Sequence, residues 1–262
     1  MRQKRLLVGV ATLVLFSGCS RQQARITQQR TEKAEPVKPP VAYFHPDPKT
    51  AGVLSGKILF HGKRPVRQKI DMDEDPQCSE MHKGGLYSQA LVVNRNATLA
   101  NVFVYIKSGL QGKTFETPSN PVTIDQKGCW FEPRVLGIQT GQILKVTNSD
   151  PVTHNIHPLA QINRAWNQSQ DQGAMPLARR FMKPEVMIRV KCNIHSWMRA
   201  WIGVLDHPYF AVTETEGTFK IGDVPPGTYT IAAWQEELGE QTQEVTVGPS
   251  AHKIVDFTFK GE

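Results

Sequence analysis

Past residue 50, short apolar runs alternate with clusters of Gly, Pro, Asn and Asp. The runs are rich in Val, Ile, Phe, Tyr and Thr, which favour strands, and no helical stripe of useful length is present. This pattern predicts an all-β chain, and the spacing of its turns favours sandwiches with Greek-key connections. The predicted strands are residues 53–60, 99–106, 137–138 with 143–148, 186–192, 201–205, 218–221, 228–234, 243–247 and 253–259.

The N-terminus has a different pattern, in which a basic start precedes an apolar run at residues 6–16. The run is too short to span a membrane and fits the core of a secretory signal. It ends in Phe-Ser-Gly-Cys and resembles a bacterial lipoprotein signal, which implies that residues 1–19 are the signal and that Cys19 is lipidated. Phe16 stands where Leu is usual, and an ordinary signal peptide or a short uncleaved anchor is the alternative. Because Ser20 rather than Asp follows, the resemblance implies the periplasmic face of the outer membrane.

Residues 20–50 are rich in Gln, Arg, Lys, Thr and Pro and lack apolar periodicity, which is typical of a flexible tether. The formal net charge of +7 falls partly on this tether and on the signal. Basic residues are not interleaved with aromatic ones, so the sequence predicts no nucleic-acid partner. A basic surface would suit an acidic partner or an anionic membrane face.

The C-terminal sequence EGTFKIGDVPPGTYTIAAW, residues 216–234, alternates apolar and polar positions between Gly and Pro turns. It resembles the carboxypeptidase regulatory-like, prealbumin-type β-sandwich. That module opens with a GxVxGxV strand, which is matched only far upstream, by residues 52–58, and residues 100–104 resemble its next strand. The resemblance implies a discontinuous sandwich with a first part at 51–118 and a second part at 209–262, since neither half alone buries two sheet faces.

The loop KCNIHSWMR places Cys192, His195 and Met198 three residues apart. A thiolate, an imidazole and a thioether are soft or borderline metal ligands, and one further imidazole completes the donor set of a blue-copper centre. His154 and His157 compete for that place. Residues three apart in a strand point to opposite faces, so only one of the two can face the site.

Residues 119–208 as a whole resemble the amicyanin- and plastocyanin-like cupredoxins, whose pattern is an upstream His-Asn followed by a loop with Cys, His and Met. The matching positions are His154 with Asn155, then Cys192, His195, Met198 and Arg199. The resemblance implies one type-1 copper ion held by the two histidines, the cysteine and the methionine. It implies that Asn155 links the two ligand loops, and it favours His154 over His157, which becomes a surface residue. Ile194 departs from the Pro that several cupredoxins have there.

Two further cysteines, Cys78 and Cys129, would lie in the oxidising compartment that an export signal implies, and this makes them candidates for a disulfide. The sequence does not show that they come within bonding distance. Cys78 followed by His82 could instead form half of a second metal site.

These features predict a periplasmic, membrane-anchored type-1 copper protein that transfers electrons through the outward edge of His195. The predicted partner is a cytochrome c or a periplasmic oxidoreductase, docked on an apolar patch formed by Ile194, Trp197 and Met198. The alternative is a non-catalytic module that binds carbohydrate or protein and has a structural or copper-storing metal. An enzyme is not predicted, because the sequence has no H-x-H pair for a second copper, no Ser-His-Asp arrangement and no H-E-x-x-H motif.

Overall fold

The computed structural model describes residues 41–261, which are almost wholly β, as the alternating pattern predicts. The predicted signal, Cys19 and most of the predicted tether lie outside the described residues. Among the described residues, no helix is long and apolar enough to cross a membrane. The elements are the helix α1 (Pro76–Met81) and the strands β1 (Gly52–His61), β2 (Lys69–Ile70), β3 (Leu86–Tyr87), β4 (Phe103–Ser108), β5 (Val122–Gln126), β6 (Phe131–Glu132), β7 (Val135–Gln139), β8 (Leu144–Asn148), β9 (His154–Pro158), β10 (Gln168–Gln170), β11 (Leu177–Arg179), β12 (Glu185–Lys191), β13 (Arg199–Leu205), β14 (Phe210–Val212), β15 (Thr218–Val224), β16 (Gly227–Gln235), β17 (Gly239–Val247), β18 (His252–Ile254) and β19 (Phe257–Lys260).

Two sheets combine strands from both ends of the described chain. In the first, β1 pairs antiparallel with β15 and parallel with β18 and β19. In the second, the strand order is β14-β4-β16-β17. Their inward side chains, which include Leu54, Ile58, Val104, Ile231 and Phe257, form one buried apolar cluster. The domain boundaries predicted from the sequence, at 51–118, 119–208 and 209–262, stay a prediction.

Residues 41–50, the last part of the predicted tether, contact these sheets. The N–H of Phe44 donates to the carbonyl of Thr114 at 2.7 Å, and its ring meets the edge of Phe115 at 5.7 Å between centroids. The N–H of Ser250 donates to the carbonyl of Thr50 at 2.8 Å. This stretch is therefore packed against the folded body, even though its composition resembles that of a linker.

Two more sheets come from the middle of the chain, with orders β10-β9-β12-β13-β7 and β11-β8-β5-β6. Most of their inward residues are aliphatic, and Cys192 and Met198 lie in the same buried cluster. In the first of these sheets, β9 and β12 are antiparallel neighbours, with His157 opposite Lys191. The start of β9 and the end of β12 therefore lie at the same end of the sheet, where the candidate ligands are found.

The two pairs of sheets meet through a glycine pair. Gly137 in β7 lies opposite Gly203 in β13. A Cβ atom at Gly137 would come within 2.2 Å of the Phe210 ring, and one at Gly203 within 2.4 Å of the Phe103 ring. Because both positions lack a side chain, the two rings pack directly on the sheet.

Residues 69–87, here called the cap segment, contain β2, α1 and β3 and were not predicted as an ordered element. Asp75 is the N-cap of α1 and accepts from the N–H of Cys78 at 2.9 Å, and a proline follows in the first turn, a common way to begin a helix. Cys78 forms a disulfide with Cys129, with a Cα–Cα distance of 5.8 Å. The cap segment is thereby linked to the turn before β6.

Removing this disulfide is expected to destabilise the protein. It closes a chain segment with a sequence separation of 51 residues, and disulfides of this kind contribute about 2 to 4 kcal/mol, because they restrict the unfolded chain. In urea unfolding of the metal-free protein, the variant Cys78→Ala with Cys129→Ala should lose about that much free energy of unfolding. Reduction of the wild-type disulfide by a thiol breaks the same bond without changing a side chain and should lower the unfolding midpoint in the same direction. An unchanged midpoint in the double variant would contradict the prediction.

Candidate metal centre

Three of the four predicted ligands come together at one end of the five-stranded sheet. His154 begins β9, whereas Cys192 and His195 lie in the loop that joins β12 to β13. One donor atom of each residue lies within 4.8 Å of the donor atoms of the other two, and all three residues are buried. The Nδ1 atoms of His154 and His195 lie 2.9 Å apart, and Sγ of Cys192 lies 3.9 Å from Nδ1 of His195. The three donor atoms thus converge in a space from which water is largely excluded.

The loop folds around the sulfur of Cys192. The backbone N–H groups of Ile194 and His195 donate to Sγ at 3.4 and 3.3 Å. Burial by itself raises the pKa of the Cys192 thiol, but hydrogen bonds from His154, His195 and these N–H groups outweigh it, and the pKa falls to about 6. Cys192 is the free cysteine among the described residues and is favoured as a thiolate, the form that binds metals.

Met198, the fourth predicted ligand, is held by the same loop. The N–H of Cys192 donates to the carbonyl of Met198 at 3.2 Å, and the N–H of Met198 donates to the carbonyl of His195 at 3.0 Å. Its side chain is fully buried in the apolar core that also contains Cys192. A role for its sulfur as an axial ligand stays a prediction.

Asn155 connects the two segments that carry the ligands. Its Oδ1 accepts from the N–H of Asn193 at 3.1 Å, and its side-chain amide donates to Asn167. His157 lies outside the buried group, partly exposed, with Nδ1 3.3 Å from Oδ1 of Asn193. Of the two competing histidines, the structure therefore brings His154 to Cys192 and leaves His157 near the surface.

Two aspartates that the sequence did not indicate hold the histidines in place. Nε2 of His154 donates to Oδ2 of Asp150 at 2.7 Å, and Nε2 of His195 donates to Oδ2 of Asp75 at 2.7 Å. Each imidazole thus has its Nε2 bound to a carboxylate and its Nδ1 directed at the centre. Carboxylates in this position fix the tautomer and orientation of metal-binding histidines.

The same contacts shift the pKa values of the four groups. Burial raises the pKa of the Asp150 carboxyl, but hydrogen bonds from His154 and from the backbone of Cys129 outweigh it, so that its pKa is lowered. The pKa of Asp75 is lowered in the same way by the N–H of Cys78 and by His195. Burial lowers the pKa of both imidazoles, but their hydrogen bonds to Asp150, to Cys192 and to Asp75 raise it overall. These shifts favour the ionised form of both carboxyls and the protonated form of both imidazoles when no ion is bound.

The edge of His195 is closed, which corrects the prediction that it faces outward. The residue is 2% exposed. Sγ of Cys78 lies 3.8 Å from its Nε2, and the Trp197 ring lies 5.2 Å from its ring. Trp197 is itself tied to the disulfide turn, because its Nε1–H donates to the carbonyl of Cys129 at 3.1 Å. The physical reason for the difference is the cap segment, which reaches the loop from far along the chain.

The alternative of a second metal site at Cys78 and His82 is not supported. Cys78 is bound in the disulfide, and Nε2 of His82 donates to the carbonyl of Gly128 at 2.7 Å. Two other groups of potential ligands share the histidines, one with Asp75 and Cys78 and one with Cys129 and Asp150. Since both of these cysteines are in the disulfide, Cys192 supplies the thiolate of the site.

The donor set fits a copper ion. Two imidazole nitrogens and a thiolate suit copper in both of its common oxidation states, and they also suit zinc. The donor atoms of His154, Cys192 and His195 converge, and carboxylates hold both Nε2 atoms, which is compatible with binding such an ion through the two Nδ1 atoms and the sulfur. The sequence did not indicate Asp150 and Asp75, the two carboxylates that hold the histidines, because Asp150 lies in an ordinary turn and Asp75 is distant in the chain.

Comparisons with known proteins give partial similarities. Residues 192–254 match the family described as polysaccharide lyase family 4, domain II. No curated protein matches the chain. Among solved structures, the chain is similar to the Cu-containing nitrite reductase from Thermus scotoductus SA-01, at 23% identity over 37% of this chain and 25% of that one, with a TM-score of 0.32. It is also similar to a reduced Cu(I) form of an amicyanin variant, at 19% identity over 38% of this chain and 97% of that one, with a TM-score of 0.30. A purple cupredoxin from Nitrosopumilus maritimus is 19% identical over 32% of this chain and 98% of its own, with a TM-score of 0.27. The all-β assignment rests on the sheets described above.

Proposed function

We propose that this protein is a type-1 copper protein that transfers single electrons at the periplasmic face of the outer membrane, where a lipid on Cys19 holds it. The observation that supports this most directly is the convergence of His154, Cys192 and His195 in one buried cluster. When bound there, a copper ion would alternate between Cu(I) and Cu(II) and so exchange one electron at a time.

The residues of the site are suited to this role because they are held before any ion binds. Backbone N–H groups fix the thiolate of Cys192, and the two carboxylates fix the imidazoles. Asn155 keeps the ligand loop in place relative to β9. With its ligands restrained in this way, the site need rearrange little when the charge of the ion changes, which favours fast electron transfer.

The exposure of the ligand loop supports our proposal for where a partner docks. Ile194, next to His195 in sequence, is 53% exposed, whereas Met198 is buried and Trp197 half-buried. We propose that a cytochrome c or another periplasmic oxidoreductase docks on the loop around Ile194. Electrons that leave through His195 would then pass this loop or Trp197, because the cap segment covers the imidazole edge.

Loading the protein with Cu(II), after removal of residues 1–19, is expected to produce an intense visible band from thiolate-to-copper charge transfer. Such a band requires the sulfur of Cys192, so the Cys192→Ala variant should be colourless, and His154→Ala should lose the band or change it strongly. His157→Ala is the matched control and should keep it. A copper-loaded wild-type protein that stays colourless would contradict the proposed function.

The alternative, a non-catalytic binding module, is favoured by the match of residues 192–254 to a polysaccharide lyase domain. In that case the metal would be structural or stored. Retention of glycans by the Cys192→Ala protein would favour this role, since glycan binding would not depend on copper. The similarity to a nitrite reductase does not lead us to propose an enzyme, because a single type-1 centre does not activate nitrite alone.

A further inference from the structure

We propose that Asp75 is a positioning residue for the copper ligand His195, and that its carboxylate lowers the reduction potential of the centre by stabilising oxidised copper. The cap segment would then set the potential as well as cover the site. This inference rests on the proposed function, since it concerns the same copper ion.

The contacts of Asp75 show how firmly its carboxylate is placed. Oδ2 accepts from Nε2–H of His195 at 2.7 Å, and Oδ1 accepts from the N–H of Cys78 at 2.9 Å. One carboxylate oxygen thus caps the N-terminus of α1, and the other accepts a hydrogen bond from the imidazole of His195. The side chain of His195 is 3% exposed and that of Asp75 is 24% exposed, so the imidazole end of this hydrogen bond is shielded from water and the carboxylate end is partly shielded.

The disulfide connects the carboxylate that holds His195 to the carboxylate that holds His154. Cys78 donates its backbone N–H to Asp75, and its disulfide partner Cys129 donates its backbone N–H to Oδ2 of Asp150 at 2.7 Å. The same Oδ2 accepts from His154. Two carboxylates, one for each histidine, are therefore held by the two halves of a single disulfide. This arrangement fixes Asp75 relative to the site, although it comes from a segment outside residues 119–208.

The direction of the effect follows from charge. A negative charge that is partly shielded from water interacts more strongly with a nearby ion than an exposed charge does. It favours the ion of higher charge, Cu(II) over Cu(I), and a carboxylate on Nε2 also makes the imidazole a stronger electron donor. Removing the charge at position 75 should therefore make the oxidised form less stable and raise the reduction potential.

The test compares the potentials of copper-loaded wild type, Asp75→Asn and Asp73→Asn. Asn at position 75 can still cap α1, so the substitution removes the charge and preserves the start of the helix. Asp73 is an exposed residue of the same segment and provides the matched control. We expect Asp75→Asn to shift the ratio of reduced to oxidised copper by about tenfold or more, roughly 59 mV for a one-electron couple. Asp73→Asn should shift it much less.

Two further variants at position 75 keep the inference testable if Asp75→Asn does not fold. Asp75→Glu and Asp75→Gln have side chains of equal length and differ in charge, so Glu should give the lower potential of the two. The visible band shows whether copper is bound in each variant. If it is bound, the inference is overturned by an Asp75→Asn shift in potential no larger than that of Asp73→Asn. It is also overturned by equal potentials in the Asp75→Glu and Asp75→Gln variants. Absence of the band in the wild type would overturn the proposed function, and this inference with it.

Discussion

Produced alone, residues 209–262 are expected to stay unfolded, with the circular dichroism of a disordered chain and no cooperative thermal transition. The fragment contains β14 to β19 but lacks the two strands that organise them. β1 pairs with β15, β18 and β19, and β4 lies between β14 and β16. Without these strands, only the β16–β17 hairpin keeps its pairing, and an isolated hairpin is marginal in water because its apolar face has no second sheet to pack against.

A linked version of the sandwich is the control. Residues 51–118 joined to 209–262 by a short Gly/Ser linker would restore both missing strands, with Cys78→Ala because its disulfide partner Cys129 is absent. A short linker is chosen because Phe115 and Tyr209, each at or near a break point, are in contact, with ring centroids 5.5 Å apart. This protein should show a cooperative transition, although with lower stability, since the surface around Phe103 and Phe210 would be uncovered. A cooperatively folded 209–262 fragment would contradict the discontinuous sandwich.

The sequence predicted two of the three longest strands well because their side chains alternate between core and solvent, but it began β17 four residues late and joined β18 and β19 into one strand, 253–259. The predicted strands 53–60 and 228–234 agree with Gly52–His61 and Gly227–Gln235 to within a residue at each end. The short strands escaped prediction for a physical reason. Gln168–Gln170 is polar, and β2 and β3 have only two residues each. Strands that are this polar or this short carry no periodic apolar signal in the sequence.

The candidate site was predictable only as far as its ligands share a short motif. Cys192, His195 and Met198 lie within seven residues of one another in the sequence, and His154 was indicated by the residue that follows it. The burial of His195 could not be read in the same way. It depends on Asp75, 120 residues earlier, and on a disulfide whose geometry the sequence does not determine.

A buried ion pair holds the middle sheets to the outer ones. Nε of Arg134, before β7, donates to Oε1 of Glu236, after β16, at 2.7 Å, and Nη2 donates to Oε2 at 3.0 Å. Nε1–H of Trp201 donates to the same Oε2 at 2.8 Å. Both charged side chains are 6% exposed. A pair with this geometry is well satisfied, but either partner left alone would be a charge shielded from water.

Replacing Glu236 with Gln is therefore expected to lower the free energy of unfolding by about 3 to 5 kcal/mol, because the Arg134 guanidinium stays buried without its carboxylate. The double variant Arg134→Met with Glu236→Gln should be more stable than the sum of the single effects predicts, since it removes both charges and leaves Trp201 an acceptor. Urea unfolding of the metal-free proteins measures both. Glu80→Gln, which breaks the exposed pair with Lys83, is the control and should change stability by less than about 1 kcal/mol. If Glu236→Gln had as small an effect as this control, the ion pair would not hold the sheets together.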